Sequence, residues 1–101
     1  MEKQLLVIAT LDTKGREAAY VKECVQSLGI HPVLMDVGTL GEPLTHPDIT
    51  RGEVVEAAGY NLDFIKGKDR SVAFEAVQKG GTILARHLFK DAAQDLRRLG
   101  L

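Results

Sequence analysis

Residues 9 to 21 read ATLDTKGREAAYV, an apolar run that gives way to two threonines, an acid and a lysine before a helical pattern begins. In α/β proteins a junction of this kind lies at the carboxyl end of a strand, where ligands bind. Upstream, Leu5, Leu6, Val7, Ile8 and Ala9 form a continuous apolar run. Such a run predicts a strand covered on both faces, as in a parallel sheet. Downstream, from Lys14 to Leu28, the residues Ala18, Val21, Cys24, Val25 and Leu28 recur at helical spacing, with Gly29 to end the helix. Pro32 to Val37 then predicts a second strand, reached by a helical crossover. The first third of the chain therefore reads as a right-handed βαβ unit with two adjacent parallel strands.

Beyond Val37 the texture changes. Residues 38 to 49, rich in Gly and Pro, read as an extended ordered loop of functional length. Thr50 with Glu53 forms a capping box for a short helix over Arg51 to Ala58, closed by Gly59. Residues 60 to 69 read as a connection. The helical period then returns through Ala73, Val77, Leu84, Leu88, Ala92, Leu96 and Leu99, with Gly80 and Gly81 in its interior. That pair marks either a break between two helices or a close approach of another backbone. A further strand, if one is hidden, would lie between Asn61 and Lys66 or in TILARHLF, residues 82 to 89.

Composition narrows the function classes. A net charge of −1 with no basic face lacks the electrostatic footprint of a nucleic-acid binder. The single cysteine, Cys24, excludes an intrachain disulfide and a cysteine zinc cluster, and fits a reducing cytoplasm. Leu5 to Ala9 is too short to span a membrane. With 101 residues the chain reads as one α/β domain at the small end of what buries its own core, so a homo-oligomer is expected.

Thr10, Asp12, Thr13, Lys14 and Gly15 sit where a buried strand meets a helix start, so free amides, the positive helix end and Lys14 would converge on an anion such as phosphate. The alternative is that Thr13 caps the helix while Asp12 and Lys14 are solvated. Asp36 and Gly38 end the second strand where dinucleotide enzymes place an acid for ribose hydroxyls, and a strand-end acid capping the loop has the same signature. His46 and Asp48 read as turn residues rather than as a metal site. Three functions stay open. One is a nucleotide-binding module, and another is an enzyme for a small phosphorylated or acidic metabolite with Asp12 or His46 as acid or base. The last is a structural part of an assembly, with Tyr20, Val25 or the terminal helix facing a partner.

Three ordered motifs, TLDTKG, DVG and PDITRGEVVEAAG, resemble the amino-terminal region of the UPF0261 proteins, the group that includes the Tm-1-like ATP-binding domain. The resemblance covers roughly residues 4 to 59, and the later Asp69–Arg70 pair matches more loosely. It implies a Rossmann-like, three-layer α/β fold with an open parallel sheet, incomplete here, and ATP, accompanied by Mg2+, as cofactor. In family members a glycine-rich GGSGGT turn and a second α/β domain follow the last helix. Their absence makes this chain read as the amino-terminal part of a larger domain with one wall of the pocket. The resemblance assigns that wall to Thr10, Asp12, Thr13, Lys14, Gly15, Asp36, Gly38, Thr39, Gly41 and Glu42, as partial nucleotide contacts.

Overall fold

The computed structural model describes residues 3–66 and 69–88. Strand β1, Gln4–Ala9, runs into helix α1, Leu11–Ser27, and the chain returns as strand β2, His31–Asp36. Helices α2, Arg51–Ala57, α3, Leu62–Lys66, and α4, Arg70–Leu88, follow. The strands are parallel neighbours in unbroken register from Gln4↔His31 to Ala9↔Asp36. Among the described residues the chain is thus α/β with a two-stranded open parallel sheet, in keeping with an incomplete Rossmann-like unit.

Alternation along each strand divides the core into two, because successive side chains leave opposite faces. Val7, Ala9 and Leu34 pack with Leu11 and Ala18 of α1. Leu6, Met35 and Val37 face the other way, onto Val54, Val55, Ala76 and Val77 of α2 and α4. Helices therefore cover both faces, which is why β1 carries no polar residue between Leu5 and Ala9.

Helix α1 starts at Leu11, earlier than the periodicity predicts. The Thr10 carbonyl accepts from the amides of Thr13 at 3.1 Å and Lys14 at 2.7 Å, and a kink at Lys14, with φ −117° and ψ 20°, joins this first turn to the rest. The buried stripe is Leu11, Gly15, Ala18 and Val25, whereas Val21, Cys24 and Leu28 are exposed. Two strands about 4.8 Å apart present too narrow a floor to cover the whole predicted face. Val25, one of the residues expected to face a partner, is instead part of this core, while Tyr20 is exposed.

The expected capping box is present. Glu53 donates its amide to Thr50 Oγ1 at 3.2 Å, and the Glu53 carboxylate accepts from the Thr50 amide at 3.3 Å. Gly29 and Gly59 end their helices at φ +76° and +89°, the left-handed conformation that a side chain disfavours. The connection over residues 60 to 69 contains α3, and TILARHL continues α4, so neither candidate for a further strand is one among the described residues. Helix α4 runs unbroken through Gly80 and Gly81, and Gly80 lies against the Val54 backbone of α2. The glycine pair is therefore a point of close approach. Ala92, Leu96 and Leu99 lie outside the described residues. No described helix is long and apolar enough to cross a membrane.

Candidate functional site

The first turn of α1 and the loop after β2 meet at the carboxyl ends of the strands, and two carboxylates tie them together. Asp36 is 1% exposed. Its Oδ1 accepts from the amides of Leu11 at 3.2 Å and Gly38 at 2.8 Å, and its Oδ2 pairs with Arg51 Nε at 2.9 Å. Arg51 also donates through Nη1 to the Gly41 carbonyl. Asp12 Oδ2 accepts from the amides of Leu40 at 2.9 Å and Gly41 at 3.0 Å. Residues 38 to 41 are thus held from both ends, and the space a Cβ on Gly38 would need is taken by Arg51 Nη2 and Asp12 Oδ1.

Burial by itself would raise the Asp12 pKa, but the Leu40 and Gly41 amides and the Arg51 charge together hold it below the ordinary carboxylate value. A depressed folded-state pKa contributes stability above the unfolded-state pKa, and that contribution is lost as pH falls through the folded value. The protection factors of the Leu40 and Gly41 amides, taken against the intrinsic exchange rate at each pH, are therefore expected to fall on acidification below the ordinary carboxylate pKa. In Asp12→Ala, which has no acceptor for these amides, they should be low at neutral pH as well. Equal protection of these two amides in wild type and variant would remove Asp12 from this role.

These ties bound two clefts that share Thr39 and Leu40. The larger, about 720 Å³, opens between Thr10, Asp12 and Thr13 on one side and one face of α4 on the other. Ile8, Val37, Phe74 and Val77 make its apolar part, and Arg70, Gln78, Thr82 and Arg86 its polar rim on α4. The smaller, about 400 Å³, is lined by Asp36, Gly41, Glu42, Pro43 and Arg51 among others.

The site residues expected from sequence are thereby distributed. Thr10, Asp12, Thr13 and Thr39 line the larger cleft, while Asp36, Thr39, Gly41 and Glu42 line the smaller. Gly38 is buried in the tied loop. Gly15 is buried with its Cα face against Leu44, and Lys14 is exposed and borders neither cleft. Three of the amides expected to be free at the helix start are engaged: Leu11 donates to Asp36, and Thr13 and Lys14 to the Thr10 carbonyl. The Thr13 hydroxyl lies 2.8 Å from that of Thr10. Asp36 likewise has its carboxylate committed to three protein donors. Asp48 closes the outer edge of β2, accepting from the Leu34 amide at 2.7 Å, and His46 is exposed.

Sequence reasoning missed the α4 wall. Arg70, Phe74, Val77, Gly81, Ala85 and Arg86 recur at helical spacing, so the face was present in the pattern. It went unread because Val77 doubles as a core position and nothing local distinguishes a cleft lining from a core or from an exposed helix face. Arg51 was read only as the first residue of a helix, since its partner Asp36 is fifteen residues away.

The N-terminal domain of the uncharacterised protein family UPF0261 matches residues 3–98. A UPF0261 protein of Clostridium tetani (strain Massachusetts / E88) is 36% identical over 92 residues, covering 90% of this chain and 23% of its own length. One from Brucella suis biovar 1 (strain 1330) is 35% identical over 86 residues, 84% of this chain and 21% of the relative. One from Rhizobium meliloti (strain 1021) is 40% identical over 88 residues, 85% and 21%. The chain thus spans about a fifth of the length of these curated relatives. No solved structure matches it. With its matched region running through both strands, the tied loop and the α4 wall, the chain belongs to the UPF0261 family.

Proposed function

We propose that the larger cleft binds a nucleotide or a comparable phosphorylated small molecule, with ATP and its Mg2+ the candidate that the family resemblance brings. The observation that carries this reading is the lining: an apolar patch that includes the exposed ring of Phe74, set beside two arginines and four threonines. A planar base is accommodated by the patch, and phosphate oxygens by Arg70 and Arg86. The hydroxyls of Thr10, Thr13 and Thr39 supply donors on the opposite wall. A cleft of about 720 Å³ is within the range of small-molecule sites. Asp12 is the acid among the residues that line this cleft and would be the one to hold Mg2+. Because the α1 amides are engaged and Lys14 stands outside the cleft, phosphate selectivity rests on the α4 arginines rather than on the helix start.

Titration of ATP with Mg2+ into the chain, followed by amide chemical shifts, tests this. Shifts are expected at Thr10 to Thr13, Thr39 and along α4, with an affinity in the millimolar range. Arg70→Ala and Arg86→Ala should each weaken binding roughly three- to tenfold, the loss of one exposed charge-assisted contact, whereas Lys14→Ala should leave it within about twofold. The absence of shifts at millimolar nucleotide, or a Lys14→Ala effect exceeding those of both arginines, overturns the assignment.

A further inference from the structure

Arg51 reaches the wall between the two clefts from behind, lining the smaller cleft and not the larger. Its Nε donates to Asp36 and its Nη1 to the Gly41 carbonyl, while Nη2 is buried and meets no acceptor among the described residues. A buried charged donor without an acceptor is costly. Because Nη2 is closed off from solvent, its acceptor belongs to the groups already packed around it and not to anything that docks from outside.

Three carboxylate oxygens near Arg51 are engaged: both of Asp36, and Oδ2 of Asp12, which accepts from the Leu40 and Gly41 amides. Oδ1 of Asp12 is the fourth. It and Arg51 Nη2 each lie 2.7 Å from the point where a Cβ on Gly38 would stand. The φ of Gly38 is not positive, so this residue owes its identity to the approach of two side chains and not to a turn conformation. The roots of both side chains are fixed independently. The capping box at Thr50 sets the first turn of α2, on which Arg51 stands, and the bond from the Leu11 amide to Asp36 sets the first turn of α1, which carries Asp12. No hydrogen bond joins Nη2 to Oδ1 in the structure, and a small side-chain adjustment makes one.

We propose that Arg51 Nη2 pairs with Asp12 Oδ1 across Gly38, so that a single guanidinium clasps Asp36, the Gly41 carbonyl and Asp12, and aims the Asp12 carboxylate at the larger cleft. Arg51 is then a positioning residue. It acts on that cleft through Asp12 and lines none of it. The planar fork of arginine directs its donors at fixed angles, which lets one side chain serve two carboxylates at once; the single ammonium of a lysine has no such geometry. The purpose of the clasp rests on reading the larger cleft as a ligand site, but the pairing is measured without ligand, so either can fail while the other stands.

NMR of the arginine side chains in the isotopically labelled full chain is the test. In the wild type the Nη2 protons of Arg51 should exchange with water at least about tenfold more slowly than those of Arg16, which is exposed. Asp12→Ala should bring Nη2 exchange close to the Arg16 rate while leaving the Nε proton, held by Asp36, within about twofold of wild type. Asp12→Asn keeps an oxygen acceptor and should recover part of the protection, a rescue that general loosening of the loop does not give. Gly38→Ala should release Nη2 with both partners still present. Wild-type Nη2 exchange as fast as that of Arg16 overturns the proposal. So does unchanged Nη2 exchange in Asp12→Ala or in a folded Gly38→Ala, equal acceleration at Nε and Nη2, or the absence of any recovery in Asp12→Asn. If Gly38→Ala fails to fold, the wild type and the two Asp12 variants decide.

Discussion

Replacing Gly80 with alanine is expected to lower the stability of the chain by about 3 kcal/mol, and the same change one residue later to leave it unharmed. A Cβ on Gly80 would fall on the carbonyl oxygen of Val54, with the Val54 carbonyl carbon 2.7 Å away and its Cγ1 at 3.2 Å. Val54 is fully buried within α2, so the obstacle is a backbone carbonyl inside a helix and not the end of a flexible side chain. Relief requires α2 and α4 to separate, which opens the core formed by Val54, Val55, Ala76 and Val77. At Gly81 the added methyl would meet Met35 Sδ at 3.7 Å and Val37 Cγ1 at 3.8 Å, ordinary contact distances. There the higher helix propensity of alanine should stabilise α4 by up to about 1 kcal/mol. Thermal unfolding separates the two, with an expected fall of roughly 12 to 24 °C for Gly80→Ala and no fall for Gly81→Ala. Equal midpoints for both variants would rule out the close approach of α2 to α4.

Asp36→Ala is expected to cost about 3 to 5 kcal/mol, the range for breaking a buried ion pair from one side. The substitution leaves the Leu11 and Gly38 amides without their acceptor and Arg51, 16% exposed, without its carboxylate. Both ends of the cleft wall then loosen together, since one side chain ties the start of α1 to the loop and to α2. Asp36→Asn keeps an acceptor for the amides and should recover part of the loss. A double variant that also replaces Arg51 by methionine should be more stable than Asp36→Ala alone, because no buried charge is left unpaired. Urea unfolding gives these differences directly. A loss below about 1 kcal/mol in Asp36→Ala would place the ion pair in the class of surface pairs and contradict its burial.

The two strands, the crossover helix, the capping box at Thr50 and the helix-ending glycines were all legible in the sequence. Each depends on neighbours within a turn or two, where apolar spacing, capping oxygens and the conformational freedom of glycine act directly. The register of β1 and β2 follows from the same alternation once both faces are buried. The family, too, was legible, because its motifs lie in order along the chain. Helix α3 was not, since five residues within a polar connection carry too short a period to read.

The site divides along the same line. The larger cleft opens at the carboxyl ends of the strands, beside the junction from which the sequence reading starts, and Thr10, Asp12, Thr13 and Thr39 line it. What each residue does there was decided by contacts between distant parts of the chain. Asp36 has the sequence signature of a ligand-facing acid, yet Arg51 and two amides surround it. Lys14 has the signature of an anion contact, yet the earlier start of α1 satisfies the amides beside it and leaves the lysine outside the cleft. The glycine pair admitted a helix break or a close approach, and only the packing of α4 on Val54 chose between them. Local spacing sets which elements form because their energetics are local. It does not set which polar group meets which across the fold, because those partners are brought together by burial of the two apolar faces of the sheet and not by their own attraction.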